Sequence, residues 1–155
     1  MDSIISDSQL AYHLALFGAY IAVGLTSIGS LIGCCYAGGA ALGCWKRAYQ
    51  ENKPAPFALS IFAGAPLSQT IYAMILMVML IGKTTPESPA LLSHFLMGTF
   101  GGIILTIAAI FQGKIGAIAC DMYSDSNKGF GNAITIVGIV ETVALFATIF
   151  AAMAI

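Results

Sequence analysis

Residues Asn132–Ile155 read NAITIVGIVETVALFATIFAAMAI, an apolar stretch in which Glu141 is the only ionisable side chain. As a helix this stretch is about 36 Å long, enough to cross the roughly 30 Å hydrocarbon layer of a bilayer. A carboxyl group within such a span is costly unless it is protonated, paired or bound to a cation, so it indicates a functional site. The alternative is a neutral Glu141 that acts as a hydrogen-bonding contact between helices.

The composition of the whole chain is also that of a membrane protein. Of its 155 residues, 59% are hydrophobic and only 8% are charged, whereas soluble domains carry roughly 25% charged residues. We therefore expect an all-α integral membrane protein with a single membrane domain, residues 1–155. A formal net charge of -1 with only 6 Lys and Arg residues argues against nucleic acid as a partner.

Four apolar segments are long enough to cross the bilayer as transmembrane helices. The predicted spans are Leu10–Trp45, Ala58–Ile81, Leu91–Ala119 and Asn132–Ile155. The polar segments KRAYQENKPAP, GKTTPESP and DMYSDSNKGFG separate them. The first span is longer than the membrane is thick, so we expect it to tilt or to project into water.

The four spans fall into two related hairpins, at about residues 10–81 and 91–155. A shift of 72 positions places SQTIYAM of the second span on VETVALF of the fourth, so that Gln69 falls on Glu141. Such a repeat indicates internal duplication. Only the second hairpin carries the carboxylate, because the first has an uncharged amide at that position.

Glycine is concentrated in the first and third spans, whereas the second and fourth carry bulkier side chains. The pairs Gly29–Gly33 and Gly39–Gly43 have the spacing that lets helix backbones approach closely, so we interpret them as packing surfaces. A tight inner layer of glycine-rich helices and a wider outer layer give a tapered protomer. A closed homo-oligomeric ring of many copies requires that taper.

The basic residues predict the orientation of the chain in the membrane. Five lie in or beside the first and third loops: Lys46, Arg47, Lys53, Lys114 and Lys128. The second loop has only Lys83, which Glu87 balances. The positive-inside rule then places loops 46–57 and 120–131 in the cytoplasm and both termini outside. The acidic residues Asp2 and Asp7 near the N-terminus agree with this orientation.

Polar groups of the other spans are placed to meet Glu141 at a similar depth. One face of the second helix carries Ala65, Ser68, Gln69 and Tyr72. Pro66 cannot donate to the carbonyl of Phe62, so we expect backbone oxygens to become available there. Gln112 lies toward the cytoplasmic end of the third span. Tyr72 lies within its span, so its hydroxyl needs a partner, for which Glu141 is a candidate.

These groups offer oxygen ligands, which hard cations prefer. One carboxylate matches one monovalent cation and leaves the occupied site neutral. A proton carrier would need only Glu141 and an apolar pocket, so the additional oxygens favour Na+, with H+ as the alternative. Alternative roles are contacts between helices for Gln69 and Gln112, and a bond within its own helix for Ser68.

The motifs PLSQxxY, FQGK and VET in the last three spans, after a glycine-rich first span, resemble the four-helix membrane-ring proteolipids of V-type and A-type rotary ATPases. The chain looks most like subunit K of the bacterial sodium-translocating members. The resemblance implies an ion-carrying rotor-ring subunit in a bacterial plasma membrane, without catalytic activity of its own. It also implies the partners: identical copies in a ring, a stator membrane subunit with an arginine, central-stalk subunits at the cytoplasmic loops, and lipid.

The same resemblance assigns roles to individual residues. Five would supply the Na+ ligands: Glu141, Gln112, Gln69, Ser68 and the backbone carbonyl of Ala65. Three more would support the site: Tyr72, which hydrogen-bonds the glutamate, Pro66 and Thr142. The sodium members usually have Thr in place of Ser68, so this chain keeps the hydroxyl but lacks a methyl group.

A passive channel or a structural proteolipid is an alternative of a different class. A channel would line a pore with several polar residues per helix, whereas here the polar residues converge at one depth. An intramembrane protease would need paired Asp, a Ser–His set or HExxH, which the spans lack, and a Walker motif is also missing.

Overall fold

The structure, a computed structural model, describes residues 7–155. It contains five helices: α1 (Asp7–Gln50), α2 (Leu59–Gly64), α3 (Leu67–Lys83), α4 (Leu91–Ser126) and α5 (Phe130–Met153). Helices α2 and α3 together form one interrupted span, so four segments are long and apolar enough to cross a membrane. This confirms the predicted all-α architecture with four spanning segments. Asp2, one of the acidic residues used for the orientation, lies outside the described residues.

Helices α1 and α4 are longer than the sequence predicted. They contain 44 and 36 residues and thus measure about 66 and 54 Å, well beyond the roughly 30 Å of a hydrocarbon layer. Residues 46–50 and 120–126, predicted as loop, are helical, and the connections shrink to 51–58 and 127–129.

These extensions arise because polar residues end the part of a helix that lies in the membrane, but they do not end the helix itself. Helix α4 continues until Asn127 (φ 50°), and Gly129 (φ 78°) follows two residues later. Helix α1 ends shortly before Asn52, which has φ of 53°. Left-handed residues of this kind terminate helices. An ion pair between Arg47 and Asp125 joins the ends of the two long helices.

Helices α1 and α4 pack closely over much of their length because glycines face backbone across the contact. A Cβ atom built on Gly98 would lie 2.1 Å from the carbonyl oxygen of Gly18, and one on Gly113 would lie 2.2 Å from Cα of Gly33. No side chain fits at such distances. The predicted packing role of Gly33 in the glycine-rich first span is therefore confirmed.

The Gly39–Gly43 pair takes no part in this packing. A Cβ atom on either glycine would meet nothing within 4 Å. At this level α1 instead buries the side chains of Ala37 and Ala41, so the helix turns these two glycines away from α4. The prediction that this pair forms a packing surface is wrong within the protomer.

Larger side chains fill the core where the second span packs against the long helices. Leu59 and Phe62 of α2 are fully buried and pack with Cys120 and Val137. Further along the bundle, Ala73, Leu105 and Ala144 form a smaller cluster against which Tyr72 packs. The fold therefore brings α3, α4 and α5 together around Tyr72.

Substituting Gly98 by alanine tests the α1–α4 contact. The added Cβ atom would collide with backbone of Gly18, so the helices must separate, and overpacking of this kind costs about 1–3 kcal/mol. We expect Gly98→Ala to lower the thermal stability of the purified protein, measured by circular dichroism in detergent. Gly24→Ala is the matched control, because its Cβ atom meets nothing within 4 Å. Equal stability of the two variants would contradict the packing role of Gly98.

Candidate functional site

Glu141 lies roughly 17 Å along α5 from its first residue, well inside the span. Its side chain is half-buried, and its two carboxylate oxygens have different partners. The Tyr72 hydroxyl donates to Oε1 at 2.7 Å, and Gln112 Nε2 donates to Oε2 at 3.3 Å. The carboxylate therefore joins α3, α4 and α5. The predicted contact with Tyr72 and the predicted convergence of Gln112 with Glu141 are both confirmed as geometry.

Gln112 is fully buried beside Glu141. Its Nε2 also lies 3.5 Å from the carbonyl oxygen of Val137, an acceptor that the sequence did not reveal. A backbone carbonyl leaves no mark in the pattern of side chains. Oε1 of Gln112 has no hydrogen-bond partner within residues 7–155. An unsatisfied buried polar atom costs about 1–3 kcal/mol, and a hard cation would satisfy an amide oxygen.

Gln69 is also fully buried, on the first turn of α3. Its Oε1 accepts a hydrogen bond of 3.2 Å from Ser68 Oγ. Its Nε2 has no partner in the described part of the chain, so Gln69 is not hydrogen-bonded to Glu141. Ser68 Oγ also lies 2.9 Å from the carbonyl oxygen of Ala65, which is the bond within its own span considered above as an alternative.

Pro66 interrupts the second span, since α2 ends at Gly64 and α3 begins at Leu67. The resemblance assigns the carbonyl of Ala65 as an ion ligand, but in the described conformation this oxygen already has partners within its own span. That oxygen accepts the backbone N–H of Ser68 at 3.2 Å as well as the Ser68 hydroxyl. A carbonyl oxygen has two lone pairs, so Ser68 alone satisfies the Ala65 acceptor.

Thr142 is not brought into the site. Its side chain is exposed, and its hydroxyl donates to the carbonyl oxygen of Gly138 at 2.8 Å within α5. Thr142 directly follows Glu141 in α5, so its side chain projects about 100° around the helix from that of Glu141. No contact between Thr142 and the other site residues therefore supports the role predicted for it.

An open groove of about 450 Å³ gives access to Glu141 between the second span and α5. Its walls are mainly apolar: Ile61, Leu67, Ile71, Ile134 and Val137. The groove also reaches Ala65, Ser68 and Glu141. The groove therefore opens Glu141 to the surface of the protomer, between the second span and α5.

Within residues 7–155, neither salt bridge involves Glu141. Lys114 is close in sequence to Gln112, but its Nζ lies 5.1 Å from the ring centroid of Phe111 and 5.8 Å from that of Tyr36. The described residues also contain no cluster of three or more His, Cys, Asp or Glu side chains suited to a metal. The site consequently offers one carboxylate, two amides and hydroxyl groups.

Removing the Tyr72 hydroxyl tests its contact with Glu141. Hydrogen bonds to charged groups contribute about 1.5–3 kcal/mol, so Tyr72→Phe should leave the carboxyl group less firmly held. We expect the rate at which dicyclohexylcarbodiimide labels Glu141 to rise by about tenfold, measured by mass spectrometry. Tyr20→Phe, at an exposed position of α1, is the control. Unchanged labelling of Tyr72→Phe would show that the hydroxyl does not restrain the carboxylate.

One family model matches the second hairpin of the chain. Residues 95–154 match the model for the c-subunit of ATP synthase, and this segment includes both Gln112 and Glu141. A comparison with curated proteins gives no match. The match spans residues 95–154, less than half of the chain, so it shows what the second hairpin is similar to.

Proposed function

We propose that this chain is the rotor-ring subunit of a V-type rotary ATPase and that each copy carries one Na+ at Glu141. The carboxylate supports this proposal because both of its oxygens accept hydrogen bonds, from Tyr72 and from Gln112. An ionised carboxylate only accepts, whereas a protonated carboxyl group uses one oxygen as a donor. The arrangement is compatible with the ionised form, which within a membrane span would require a cation. The Tyr72 hydroxyl can also accept from a protonated carboxyl group, so the choice of Na+ depends on the other polar atoms nearby.

The unpartnered amide atoms further support a small cation among these helices. Gln112 Oε1 is buried without a partner and would become a ligand beside Glu141. Rotation of the last side-chain torsion of Gln69 would exchange its unpartnered Nε2 with Oε1. The Ser68 hydroxyl now donates to the carbonyl of Ala65. It would have to turn away before Ser68 Oγ or the Ala65 carbonyl oxygen could bind the ion. Na+ binding would therefore reorganise the first turn of α3 without moving whole helices.

In a ring, the bound Na+ would let Glu141 pass through lipid. An occupied site is neutral, whereas an empty carboxylate facing lipid costs several kcal/mol. Exchange would therefore be confined to a contact with a stator subunit, where an arginine and two aqueous half-channels meet the ring. Each charge that crosses the membrane carries about 2.3 kcal/mol per 100 mV.

Coupling to ATP hydrolysis or synthesis would pass through the loop ends of the long helices. The Arg47–Asp125 ion pair joins α1 to α4 there and would stiffen the surface offered to central-stalk subunits. The positive-inside rule would put these ends, within residues 46–57 and 120–131, in the cytoplasm and both termini outside. The resemblance adds that the membrane would be a bacterial plasma membrane.

Proton coupling is the second candidate, and the carbonyl of Ala65 favours it. That carbonyl is already satisfied by Ser68, and a proton on Glu141 would not need it as a ligand. A passive channel has less support, because Tyr72, Gln112 and Glu141 meet at one level and do not line a continuous path.

Protection from labelling distinguishes the two ions. If Na+ occupies the site, Na+ at fixed pH should slow the reaction of dicyclohexylcarbodiimide with Glu141, because only the protonated carboxyl group reacts. K+ at the same concentration should give no protection, since the ligands surround a smaller ion. Labelling that depends on pH but not on Na+ would assign the site to protons.

Truncating Gln112 tests its role as a ligand. We expect Gln112→Ala to raise the Na+ concentration that gives half-protection by about ten- to hundredfold, as expected for a lost interaction with a charged group. Gln50→Ala is the matched control, because Gln50 is exposed at the end of α1. An unchanged Na+ requirement in Gln112→Ala would remove this residue from the site.

Neutralising the carboxylate tests transport itself. Glu141→Gln should still assemble and should keep its amide hydrogen-bonded to Tyr72, but it should carry no ion. Ion uptake into vesicles containing the complete complex is the measurement. Uptake at the wild-type rate would contradict the assignment of Glu141 as the carrier.

A further inference from the structure

Thr70 differs from the other threonines of the helices. Six threonine hydroxyls of the helices, and that of Thr84 directly after α3, donate to the carbonyl four residues earlier; the six are Thr26, Thr99, Thr106, Thr135, Thr142 and Thr148. Thr70 instead donates to Ser30 Oγ on α1 at 2.8 Å. Ser30 Oγ in turn donates to the carbonyl of Pro66 at 2.6 Å. That carbonyl is the one four residues before Thr70.

The bond within the helix is thus replaced by two hydrogen bonds that pass through α1. Ser30 is only 2% exposed and Pro66 is fully buried, whereas Thr70 is half-buried and lines an open surface groove with Ser30. The buried carbonyl of Pro66 and the buried hydroxyl of Ser30 are satisfied within this chain of bonds. We call this chain of bonds, from Thr70 through Ser30 to Pro66, the hydroxyl relay.

The second hairpin lacks a counterpart of the hydroxyl relay. The shift of 72 positions places Thr70 on Thr142, and Ser30 on Gly102. Gly102 has no hydroxyl, and Thr142 bonds within its own helix. The hydroxyl relay therefore belongs to the hairpin that has an amide in place of the carboxylate.

The hydroxyl relay encloses two of the candidate ion ligands. Ser68 and Gln69 lie between Pro66 and Thr70 in the first turn of α3. Both ends of that turn are consequently held against Ser30. We propose that Ser30 and Thr70 are positioning residues that fix this turn relative to Glu141 and thereby set the affinity of the site for its ion. This inference rests on the proposed function, and it gives α1, which supplies no ligand, a part in ion selection.

The hydroxyl relay joins α1 to α3 and is distinct from the glycine contacts between α1 and α4. Helix α1 packs on α4 through Gly18 and Gly33, and neither contact involves a hydroxyl of the relay, although Gly33 also faces the ring of Pro66. Removing the relay should therefore loosen the first turn of α3 while the helices stay packed. The change should appear in ion affinity and not in assembly.

The test uses the full-length protein in its membrane. Ser30→Ala and Thr70→Val should each raise the Na+ concentration that half-protects Glu141 from dicyclohexylcarbodiimide by about three- to tenfold, as expected for a lost buried hydrogen bond. The double variant should shift no further than the larger single variant, because both substitutions break one relay. Thr70→Ser should restore the wild-type value.

The matched control is Thr99→Val, whose wild-type hydroxyl bonds within its own helix at 2.9 Å. It should leave the Na+ concentration that half-protects Glu141 unchanged. Every variant should assemble as the wild type does on a native gel. Unchanged half-protection in both Ser30→Ala and Thr70→Val would overturn the inference. A shift that Thr70→Ser fails to restore would also overturn it.

Failure of the proposed ion can be recognised separately. If Na+ does not protect the wild-type protein, the Na+ assignment fails, and the pH of half-maximal labelling becomes the measure of affinity for protons. A shift of that pH in Ser30→Ala and Thr70→Val, restored by Thr70→Ser, would still support the positioning role. Identical pH profiles in all variants would exclude it.

Discussion

The carboxylate of Glu141 ties three helices at one level of the bundle, because Tyr72 on α3 and Gln112 on α4 both donate to it. Hydrocarbon offers no water to replace either donor, so each helix has to keep the register that maintains these bonds. The register of α4 is fixed independently by glycine. Gly113 packs directly on the backbone of Gly33, and Gln112, its neighbour in sequence, consequently faces the carboxylate.

The two halves of the chain make different contributions to one site. The second hairpin, which contains the match to the ATP synthase c-subunit family, supplies the carboxylate and Gln112. The first hairpin supplies Tyr72 and an interrupted span, which Pro66 breaks and Ser30 holds against α1. The long glycine-rich helices thus serve as the scaffold, to which α4 adds Gln112, while the shorter helices present Tyr72 and Glu141.

Much of this arrangement could be predicted because the hydrocarbon around a membrane span offers its polar groups no hydrogen-bond partners. The one carboxyl group of the fourth span and the one phenol of the second span both need partners, and Glu141 and Tyr72 bond to each other. The ends of α1 and α4 could not be predicted, since hydropathy reports where lipid ends and not where a helix ends. The details of hydrogen bonding were also hidden. Ala65 is satisfied by Ser68, and the role of Ser30 depends on a carbonyl of another helix.

The ionisation state of Glu141 with Na+ bound can be measured directly by infrared difference spectroscopy on the purified, assembled protein. Adding Na+ at constant pH should reduce the band of a protonated carboxyl group and increase the bands of a carboxylate, and neither change should occur in Glu141→Gln. A protonated band that persists at saturating Na+, with no Na+-dependent change that this substitution removes, would contradict a carboxylate neutralised by a sodium ion.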